Sequence, residues 1–376
     1  MNSTHTSSHA PWHAFTGLLT VACCLLALVS CGAGPAAGEH SEGDTIPLSY
    51  ARNLVMVAHG DRTEVTMLDP WHAGRTLAHY TLTTDTTLRG EGVVHVPLKR
   101  AAVFTSVHCA LLNELGAMEV VRGVCDLQYM PLGYVRDAVA QGRMTDLGNS
   151  MEPNMERLID LMPDAVLRSP MEQTGGYGKL GRLDIPVVEC ADYMEVSPLA
   201  RAEWIKLYGR LVGQVHRADS IFQCVEQRYV SLKQQAAQAT SHPRLICESP
   251  YNGQWYLPAG GSTMGQMYAD AGADYLFADL QGTGASPISI ERVLERALTA
   301  DVWLVKQYGL QSKAQLAADV PALRGIKAQA WACDPSTSGF YEETPFHPDL
   351  LLADLVALLH PTLNVHPTKH YFHCIP

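Results

Sequence analysis

Short apolar runs and helical spacing alternate along the first half of the chain. Strand-like runs lie at 102–104, 120–124, 164–167 and 185–189, and the segment 154–161 has apolar residues at helical spacing. Strands that alternate with helices are typical of a parallel sheet covered on both faces. This part of the chain therefore predicts one α/β lobe.

A related alternation returns in the second half of the chain. Strand-like runs lie at 244–247 and 302–305, and helical patterns lie at 263–271 and 290–298. We therefore predict an α/β fold of two Rossmann-like lobes with parallel sheets and a ligand cleft between the lobes.

Between the two series lies the longest amphipathic pattern of the chain. Apolar residues from Trp204 to Leu232 recur at three- and four-residue steps, and no proline occurs from 201 to 241. A helix of about thirty residues would be roughly 45 Å long, enough to reach from one lobe to the other. The pattern predicts that one long rigid α-helix joins the lobes and restricts hinge closure.

The residues before the first lobe predict a small β-rich region. Two strand-like runs, 53–58 and 63–68, flank Gly60-Asp61, which is a hairpin signal. The expected organisation is a signal peptide (1–30), a lipidated tether (31–45), a β-rich preface (46–96), an N-terminal lobe (97–197), an interlobe helix (198–241) and a C-terminal lobe (242–376).

The N-terminus has the composition of an export signal. The first thirty residues contain no charged side chain, and 18–29 is a nearly continuous apolar run, too short to span a bilayer. It ends in Leu28-Val29-Ser30-Cys31, which resembles a bacterial lipobox. We predict a signal peptide and an acylated Cys31 as the only membrane attachment; the alternative is a buried N-terminal helix.

Composition excludes nucleic acid as a partner. The chain of 376 residues is 47% hydrophobic and has a net charge of -11, so it holds a sizeable core and lacks a basic surface for phosphates. No C-x-x-C pair occurs, which argues against a zinc site and a disulfide framework. We predict mainly buried free thiols at Cys109, Cys125, Cys190, Cys224, Cys247, Cys333 and Cys374.

Several motifs, in order, resemble the helix-linked class of ABC-importer substrate-binding proteins, which capture ferric siderophores, cobalamin or haem. The most specific is Asn-Met-Glu-Arg-Leu-Ile-Asp-Leu-Met-Pro-Asp-Ala-Val at 154–166; similar pieces lie at 97–103, 112–123, 253–262 and 289–294. The resemblance implies a periplasm-facing, membrane-anchored lipoprotein and a monomer. It also implies an ABC permease with its ATPase as partner and no resident cofactor, since the metal chelate is cargo.

Two carboxylates match the family's docking positions. Glu156 and Glu291 each lie near the start of a predicted helix, one in each lobe. The resemblance implies that they pair with arginines of the permease. A carboxylate at such a position also stabilises the positive end of its own helix, by about 0.3–1 kcal/mol, and both roles are compatible.

Ligand residues are expected in the loops that follow the strands, because open sheets bind ligands outside the carboxyl ends of their strands. Aromatic side chains in these loops suit a large planar or amphipathic chelate. The candidates are His108, Tyr129, Tyr177, Tyr193, Tyr251, Trp255, Trp331, Phe340 and Tyr341. For haem, the alternative ligand, His108 and Tyr251 would supply the axial contacts.

Catalytic motifs do not emerge from the sequence. Gly260-Gly261-Ser262-Thr263-Met264-Gly265 misses the G-x-S-x-G spacing by one residue, and neither H-E-x-x-H nor a P-loop occurs. Histidines crowd the C-terminus at irregular spacing, which favours a polar tail over a metal site. We therefore predict a binding protein; the other classes are a metal-dependent enzyme and a structural lipoprotein on the same two-lobe scaffold.

Overall fold

The computed structural model describes residues 43–172 and 178–376, so the predicted signal peptide, Cys31 and Tyr177 lie outside the described residues.

The first part of the described chain forms a five-stranded sheet, which we call the preface sheet. The strands are β1 Asp44–Thr45, β2 Leu54–His59, β3 Arg62–Leu68, β4 Thr76–Thr83 and β5 Val93–His95, paired in that order. β2 and β3 form the predicted hairpin, with Gly60 in a left-handed turn (φ 60°). Residues 44–45, predicted as tether, are instead strand β1 on this sheet.

The N-terminal lobe is built on a fully parallel sheet, as predicted. Its strands lie in the order β10-β9-β6-β7-β8. Their bounds are β6 Ala101–Val103, β7 Val121–Val124, β8 Thr145–Asp146, β9 Ala165–Arg168 and β10 Val187–Glu189. Nearly every residue of β6, β7 and β9 is buried, which is expected of strands covered by helices on both faces.

The C-terminal lobe repeats this design and adds a small antiparallel sheet. The main sheet has the order β14-β11-β16-β17-β18, parallel except for β18 at its edge, and the second has the order β12-β13-β15. The strands are β11 Arg244–Cys247, β12 Pro250–Tyr251, β13 Gln254–Pro258, β14 Asp274–Tyr275, β15 Ala285–Ser289, β16 Val302–Lys306, β17 Gln329–Cys333 and β18 His373–Ile375.

Twelve α-helices cover the sheets in the described residues, and no helix there is long and apolar enough to cross a membrane. The N-terminal lobe has α1 Ser106–Glu114, α2 Gly133–Ala140 and α3 Met155–Leu161. The connecting segment has α4 Pro198–Glu203, α5 Ile205–Leu211 and α6 Val215–Ala236. The C-terminal lobe has α7 Thr263–Asp270, α8 Ile290–Ala297, α9 Lys313–Asp319, α10 Pro335–Ser338, α11 Phe340–Glu343 and α12 Pro348–Leu359.

The prediction of one continuous interlobe helix is wrong. The chain turns at Gly213, whose φ of 71° is left-handed, and a side chain there would have its Cβ 3.1 Å from Pro97. After the turn α6 packs back on α5, so close that a Cβ on Gly209 would lie 2.5 Å from that of Ala218. The unbroken part is the 22-residue α6, roughly 33 Å long.

Side-chain hydrogen bonds join the two lobes at both ends of their contact. At the start of α7, Thr263 Oγ1 donates to the Glu195 carbonyl at 3.0 Å, and Gln266 Nε2 donates to the Val196 carbonyl at 2.5 Å. At the C-terminal end of α1, His347 Nε2 lies 2.7 Å from Glu114 Oε1. Although burial opposes the charged imidazole, the Asp349 and Glu114 carboxylates raise the pKa of His347 to about 9, so this contact is an ion pair at neutral pH.

We expect ligand to change the angle between the lobes by only a few degrees, because these contacts join the lobes at several places, whereas hinge-type closure moves whole domains. Small-angle X-ray scattering of the protein with and without bound ligand measures this. A clear contraction in the radius of gyration on binding would contradict the prediction.

Candidate functional site

A cavity of about 490 Å³ opens at the carboxyl ends of the N-terminal strands, where the loops after β6, β7, β8, β9 and β10 meet. Asp126 is part of the wall of this cavity. Its backbone has a left-handed conformation (φ 52°), and its carboxylate accepts a hydrogen bond from the Ser150 amide at 3.2 Å. The lining residues are Phe104, Thr105, Ser106, Cys125, Asp126, Tyr129, Met130, Ser150, Met151, Arg168, Ser169, Pro170, Met171 and Tyr193.

His108, predicted as a ligand contact, is instead a buried structural residue. Its Nε2 lies 2.8 Å from Asp192 Oδ1, and its Nδ1 lies 2.6 Å from Thr105 Oγ1. Only 2% of its surface is exposed, and its ring stacks on Tyr208. Because both ring nitrogens are engaged, His108 does not supply an axial contact to haem, and that part of the prediction is corrected.

Asp192 organises the polar cluster around His108. Its carboxylate also accepts hydrogen bonds from the Tyr208 hydroxyl at 3.0 Å and from Arg201 Nε at 3.1 Å. Burial alone raises the pKa of Asp192, but His108 and Arg201 outweigh it and lower the pKa below its usual value. The cluster therefore ties α1 to the connecting helices α4 and α5 beneath the cavity.

Two predicted tyrosines of the N-terminal lobe do lie at the cavity. Tyr129 is 79% exposed, and its amide donates to the Asp126 carbonyl at 2.8 Å. The Tyr193 hydroxyl donates to the Pro170 carbonyl at 2.5 Å, which joins the loops after β9 and β10. Burial raises the pKa of Tyr193, so its hydroxyl stays protonated.

The corresponding surface of the C-terminal lobe also carries exposed tyrosines. Tyr251, Tyr308 and Tyr341 follow strands β11, β16 and β17, and all three are exposed. The two lobes meet close to this surface, because the Ser106 hydroxyl at the cavity donates to Glu342 Oε1 at 2.7 Å. Loops after the strands of both sheets therefore border one interlobe region, which we call the cleft.

Three of the predicted aromatic contacts pack into the C-terminal lobe instead. Trp255 is fully buried and packs against Trp303, and Phe340 is buried against Tyr371 and Phe372. Trp331 lies in the middle of β17, half-buried against the core, and not in a loop at the end of the strand. We correct the prediction for these residues, because their apolar rings pack within the C-terminal lobe.

The sequence analysis missed several exposed side chains at the cleft. In the described residues, eight of the fifteen large hydrophobic side chains that are exposed lie in or next to loops at the carboxyl ends of the two main sheets. They are Tyr129, Tyr134, Met151, Met171, Tyr193, Tyr251, Tyr308 and Tyr341. Tyr308 follows strand β16 by two residues, so its position was detectable; no pattern marks Tyr134, Met151 or Met171.

Glu156 and Glu291 are exposed in the first turns of α3 and α8. Asn154 caps α3 by accepting from the Arg157 amide at 3.0 Å, and Ser289 caps α8 by accepting from the Arg292 amide at 3.4 Å. Since these side-chain caps already occupy amides in the first turns, neither glutamate is needed as a cap. Both carboxylates are available to a partner.

The seven cysteines of the described residues are free thiols, five of them buried. Burial raises the pKa of Cys125, which lines the cavity, to about 12. Its thiol is therefore protonated at neutral pH and is a poor nucleophile.

Within the described residues, no group of three or more His, Cys, Asp or Glu side chains is placed to hold a metal ion. Two C-terminal histidines have separate partners: His360 Nε2 donates to the Ala271 carbonyl at 2.9 Å, and His370 Nδ1 lies 3.2 Å from Asp354 Oδ1.

Known proteins resemble this chain over most of its length. An uncharacterized lipoprotein of Methanocaldococcus jannaschii is 27% identical over 301 residues, which cover 74% of this chain and 69% of that protein. A periplasmic heme binding protein from Pseudomonas aeruginosa has a similar fold, with a TM-score of 0.57, 18% identity and coverage of 74% of this chain and 98% of that chain. The periplasmic vitamin B12 binding protein of Vibrio cholerae also has a similar fold, with a TM-score of 0.52 and 16% identity. The match covers 71% of this chain and 99% of that chain.

The family profile described as periplasmic binding protein matches residues 102–330, which is more than half of the chain. The matched region contains the parallel sheet of the N-terminal lobe, the connecting helices and most of the C-terminal lobe. The protein therefore belongs to the periplasmic binding protein family, whose members are two-lobe solute-binding proteins that work with ABC transporter permeases.

Proposed function

We propose that the protein is the lipid-anchored substrate-binding protein of an ABC importer, which captures a metal chelate and delivers it to the permease and its ATPase. The leading ligands are a ferric siderophore and cobalamin. The observation that carries the proposal is the concentration of exposed tyrosine and methionine side chains around the cleft.

Exposed apolar surface of this kind favours a bound ligand. Six of the eight side chains are tyrosines, which offer a flat apolar face for stacking together with a hydroxyl for hydrogen bonding. A large exposed apolar patch with polar groups at its rim is typical of a binding site. A chelate with a wide organic surface would cover these rings, whereas a bare metal ion would leave them in water.

Haem is the second candidate, and one observation favours it. Tyr251 is 69% exposed at the tip of the β12–β13 hairpin, where Asn252 and Gly253 are both left-handed. A phenolate on such a loop is a known type of axial ligand for ferric haem. With His108 engaged elsewhere, Tyr251 is the remaining axial candidate of the two predicted from the sequence.

Calorimetric titration with ferrichrome, ferric enterobactin, cyanocobalamin and haemin tests the proposal. We expect one of these chelates to bind with 1:1 stoichiometry and to be recovered unchanged. The double variant Tyr129→Ala, Tyr251→Ala should weaken binding about tenfold or more, since each ring contributes roughly 1 kcal/mol of stacking.

The double variant Ile159→Ala, Leu298→Ala is the matched control, because both side chains are also exposed, one in each lobe, but lie before strands β9 and β16 instead of after a strand. It should bind like the unmodified protein. Failure of every chelate to bind would contradict the proposed function, and chemical conversion of the chelate would favour the enzyme class.

Membrane attachment through Cys31 is also part of the proposal. The supporting observations are the lipobox-like sequence ending at Cys31 and the naming of a relative as a lipoprotein. We expect Cys31→Ser to abolish acylation, so the protein moves from the detergent phase to the aqueous phase in Triton X-114 partitioning, or accumulates uncleaved. Unchanged partitioning and unchanged mass of the N-terminal peptide would refute lipidation.

A further inference from the structure

A second cavity, of about 520 Å³, lies between the preface sheet and the connecting helices. Its walls come from β1 and the residues that follow it, from α5 and from α6. It shares no lining residue with the cavity at the cleft. We call it the preface cavity, and the charged side chains in its walls are Asp44, Lys206, Arg210, Asp219 and Glu226.

Lys206 already has its partners in this cavity. Its Nζ donates to Glu203 Oε1 at 2.9 Å and to the Pro47 carbonyl at 3.3 Å. The same atom lies 4.8 Å from the centre of the Phe222 ring, which is buried and meets the Tyr50 ring edge-on. Lys206 is therefore part of the wall and does not require a further anion.

Arg210 differs from Lys206, because its guanidinium group is partly buried without a carboxylate bonded to it. In the described residues its side chain makes one hydrogen bond, from Nη1 to the Lys206 carbonyl of its own helix at 2.8 Å. Burial lowers the pKa of Arg210, although the Asp219 carboxylate opposes this shift. Most N–H donors of the guanidinium group are therefore available to an anion, and their planar arrangement matches the oxygen atoms of a phosphate group.

Three carboxylates line the same cavity. Glu226 uses Oε1 to accept from the Tyr50 hydroxyl at 2.7 Å, whereas the side chains of Asp44 and Asp219 make no hydrogen bond within the described residues. Asp219 and Glu226 are two turns apart on α6, so they lie on one face of that helix. Carboxylate oxygens at several places around a cavity suit a primary ammonium group, which donates three hydrogen bonds.

The preface cavity lies at the start of the described chain. Asp44 is the second described residue and follows Cys31 by 13 positions in the sequence. A fully extended chain of that length spans at most about 45 Å. An acylated Cys31 would therefore keep the wall of this cavity near the lipid headgroups.

We infer that the preface cavity binds the headgroup of a membrane lipid that carries both a phosphate and a primary ammonium group, with Arg210 at the phosphate and Asp219 and Glu226 at the ammonium group. The inference rests on the proposed acylation of Cys31 and adds a second contact between the protein and the membrane. Three carboxylates would repel an anionic phosphoglycerol headgroup. The trimethylammonium group of phosphocholine has no N–H to donate to them.

The first test titrates the acylated protein, in an uncharged detergent, with soluble headgroups that lack acyl chains. We expect glycerophosphoethanolamine to bind saturably, as followed by its phosphorus NMR signal, and glycerophosphocholine and glycerophosphoglycerol to bind at least tenfold more weakly. Free phosphoethanolamine is a monoester with more negative charge, so it should also bind more weakly. Tighter binding of this monoester would overturn the assignment to a lipid, and equal binding of all the headgroups would overturn the site.

Arg210→Gln and Asp219→Asn should each weaken the binding of glycerophosphoethanolamine about tenfold or more, as for loss of a charge-assisted hydrogen bond. The two residues lie on different helices, so each variant tests the site independently of the other. Arg324→Gln is the matched control, because Arg324 is an exposed arginine of the C-terminal lobe, and it should bind like the unmodified protein. All three variants should bind chelate as before, because none of these residues lines the cavity at the cleft.

The second test places the acylated chain in vesicles that contain phosphatidylethanolamine. A carbodiimide joins a primary amine to a carboxylate in contact with it, so peptide mass spectrometry should find the lipid amine on Asp219 or Glu226 more often than on Asp319, an exposed aspartate of the C-terminal lobe. Arg210→Gln should reduce this coupling several-fold.

No saturable headgroup binding, or equal coupling at Asp219, Glu226 and Asp319, would overturn the inference while leaving chelate binding intact. Unchanged partitioning of the Cys31→Ser protein would instead refute the anchoring on which the inference rests. Failure of every chelate to bind would contradict the proposed capture of a chelate and leave the headgroup titration to decide this site.

Discussion

Replacing Glu156 and Glu291 together by lysine is expected to reduce uptake at least tenfold while leaving ligand affinity unchanged within about twofold. Both side chains are exposed at the starts of α3 and α8, outside the loops that form the cleft. If they pair with permease arginines, reversal of charge replaces two attractions by two repulsions, and each buried pair lost at an interface costs about 2–5 kcal/mol. Substrate uptake by proteoliposomes containing the permease and its ATPase measures the effect, beside calorimetric titration of ligand.

The matched control reverses two other exposed carboxylates, one in each lobe. Glu119 precedes β7 and Asp319 ends α9, so Glu119→Lys with Asp319→Lys makes the same change in net charge on other elements. That protein should support full uptake. Full uptake by the Glu156→Lys, Glu291→Lys protein would contradict the pairing of these glutamates with permease arginines. Loss of its ligand affinity would instead place the two carboxylates in the binding site.

Glu203→Ala is expected to lower the free energy of unfolding by roughly 3–5 kcal/mol, the largest stability effect that we predict for a single residue. Glu203 is fully buried, and its carboxylate accepts hydrogen bonds from the backbone amides of Ser49, Tyr50 and Ala51 at 2.8–2.9 Å. It also pairs with Lys206. Removing it leaves three amides without their acceptor at the junction between the preface sheet and α4, and leaves the Lys206 ammonium group with only the Pro47 carbonyl as a hydrogen-bond acceptor, at 3.3 Å. Urea-induced unfolding measures the change.

Glu226→Ala is the control, because Glu226 also contacts Tyr50 but through one hydrogen bond, from the tyrosine hydroxyl at 2.7 Å. Being half-buried, it should contribute about 1 kcal/mol. Equal effects of the two substitutions would contradict the view that the Glu203 carboxylate attaches the segment beside the preface sheet to α4.

The periodicity of the sequence was sufficient to predict both lobes, because parallel strands buried on both faces are apolar throughout. The structure confirms strands at 101–103, 121–124, 165–168 and 244–247, close to their predicted places. Periodicity could not reveal the turn at Gly213. Apolar residues continue at helical spacing on both sides of that glycine, and the residue that packs against its left-handed backbone, Pro97, is distant in the chain.

The site was predictable only to the level of loops. Tyr129, Tyr193, Tyr251 and Tyr341 were predicted because they follow strands, and all four are exposed there. His108 also follows a strand, but the side chain of the third helical residue points back to its own cap and to Asp192, which lies 84 residues away in the chain. The contact of Ser106 with Glu342 likewise joins residues that are 236 positions apart in the chain, which sequence alone does not give.

The most direct test of the central claim is to identify what the protein retains when it is purified from its own host without added ligand. Native mass spectrometry, combined with metal analysis and the absorbance spectrum, gives both the mass of the bound molecule and its metal content. We predict one metal chelate per chain, released unchanged on denaturation. A protein that retains no chelate and binds none when ferrichrome, ferric enterobactin, cyanocobalamin and haemin are supplied would contradict the account.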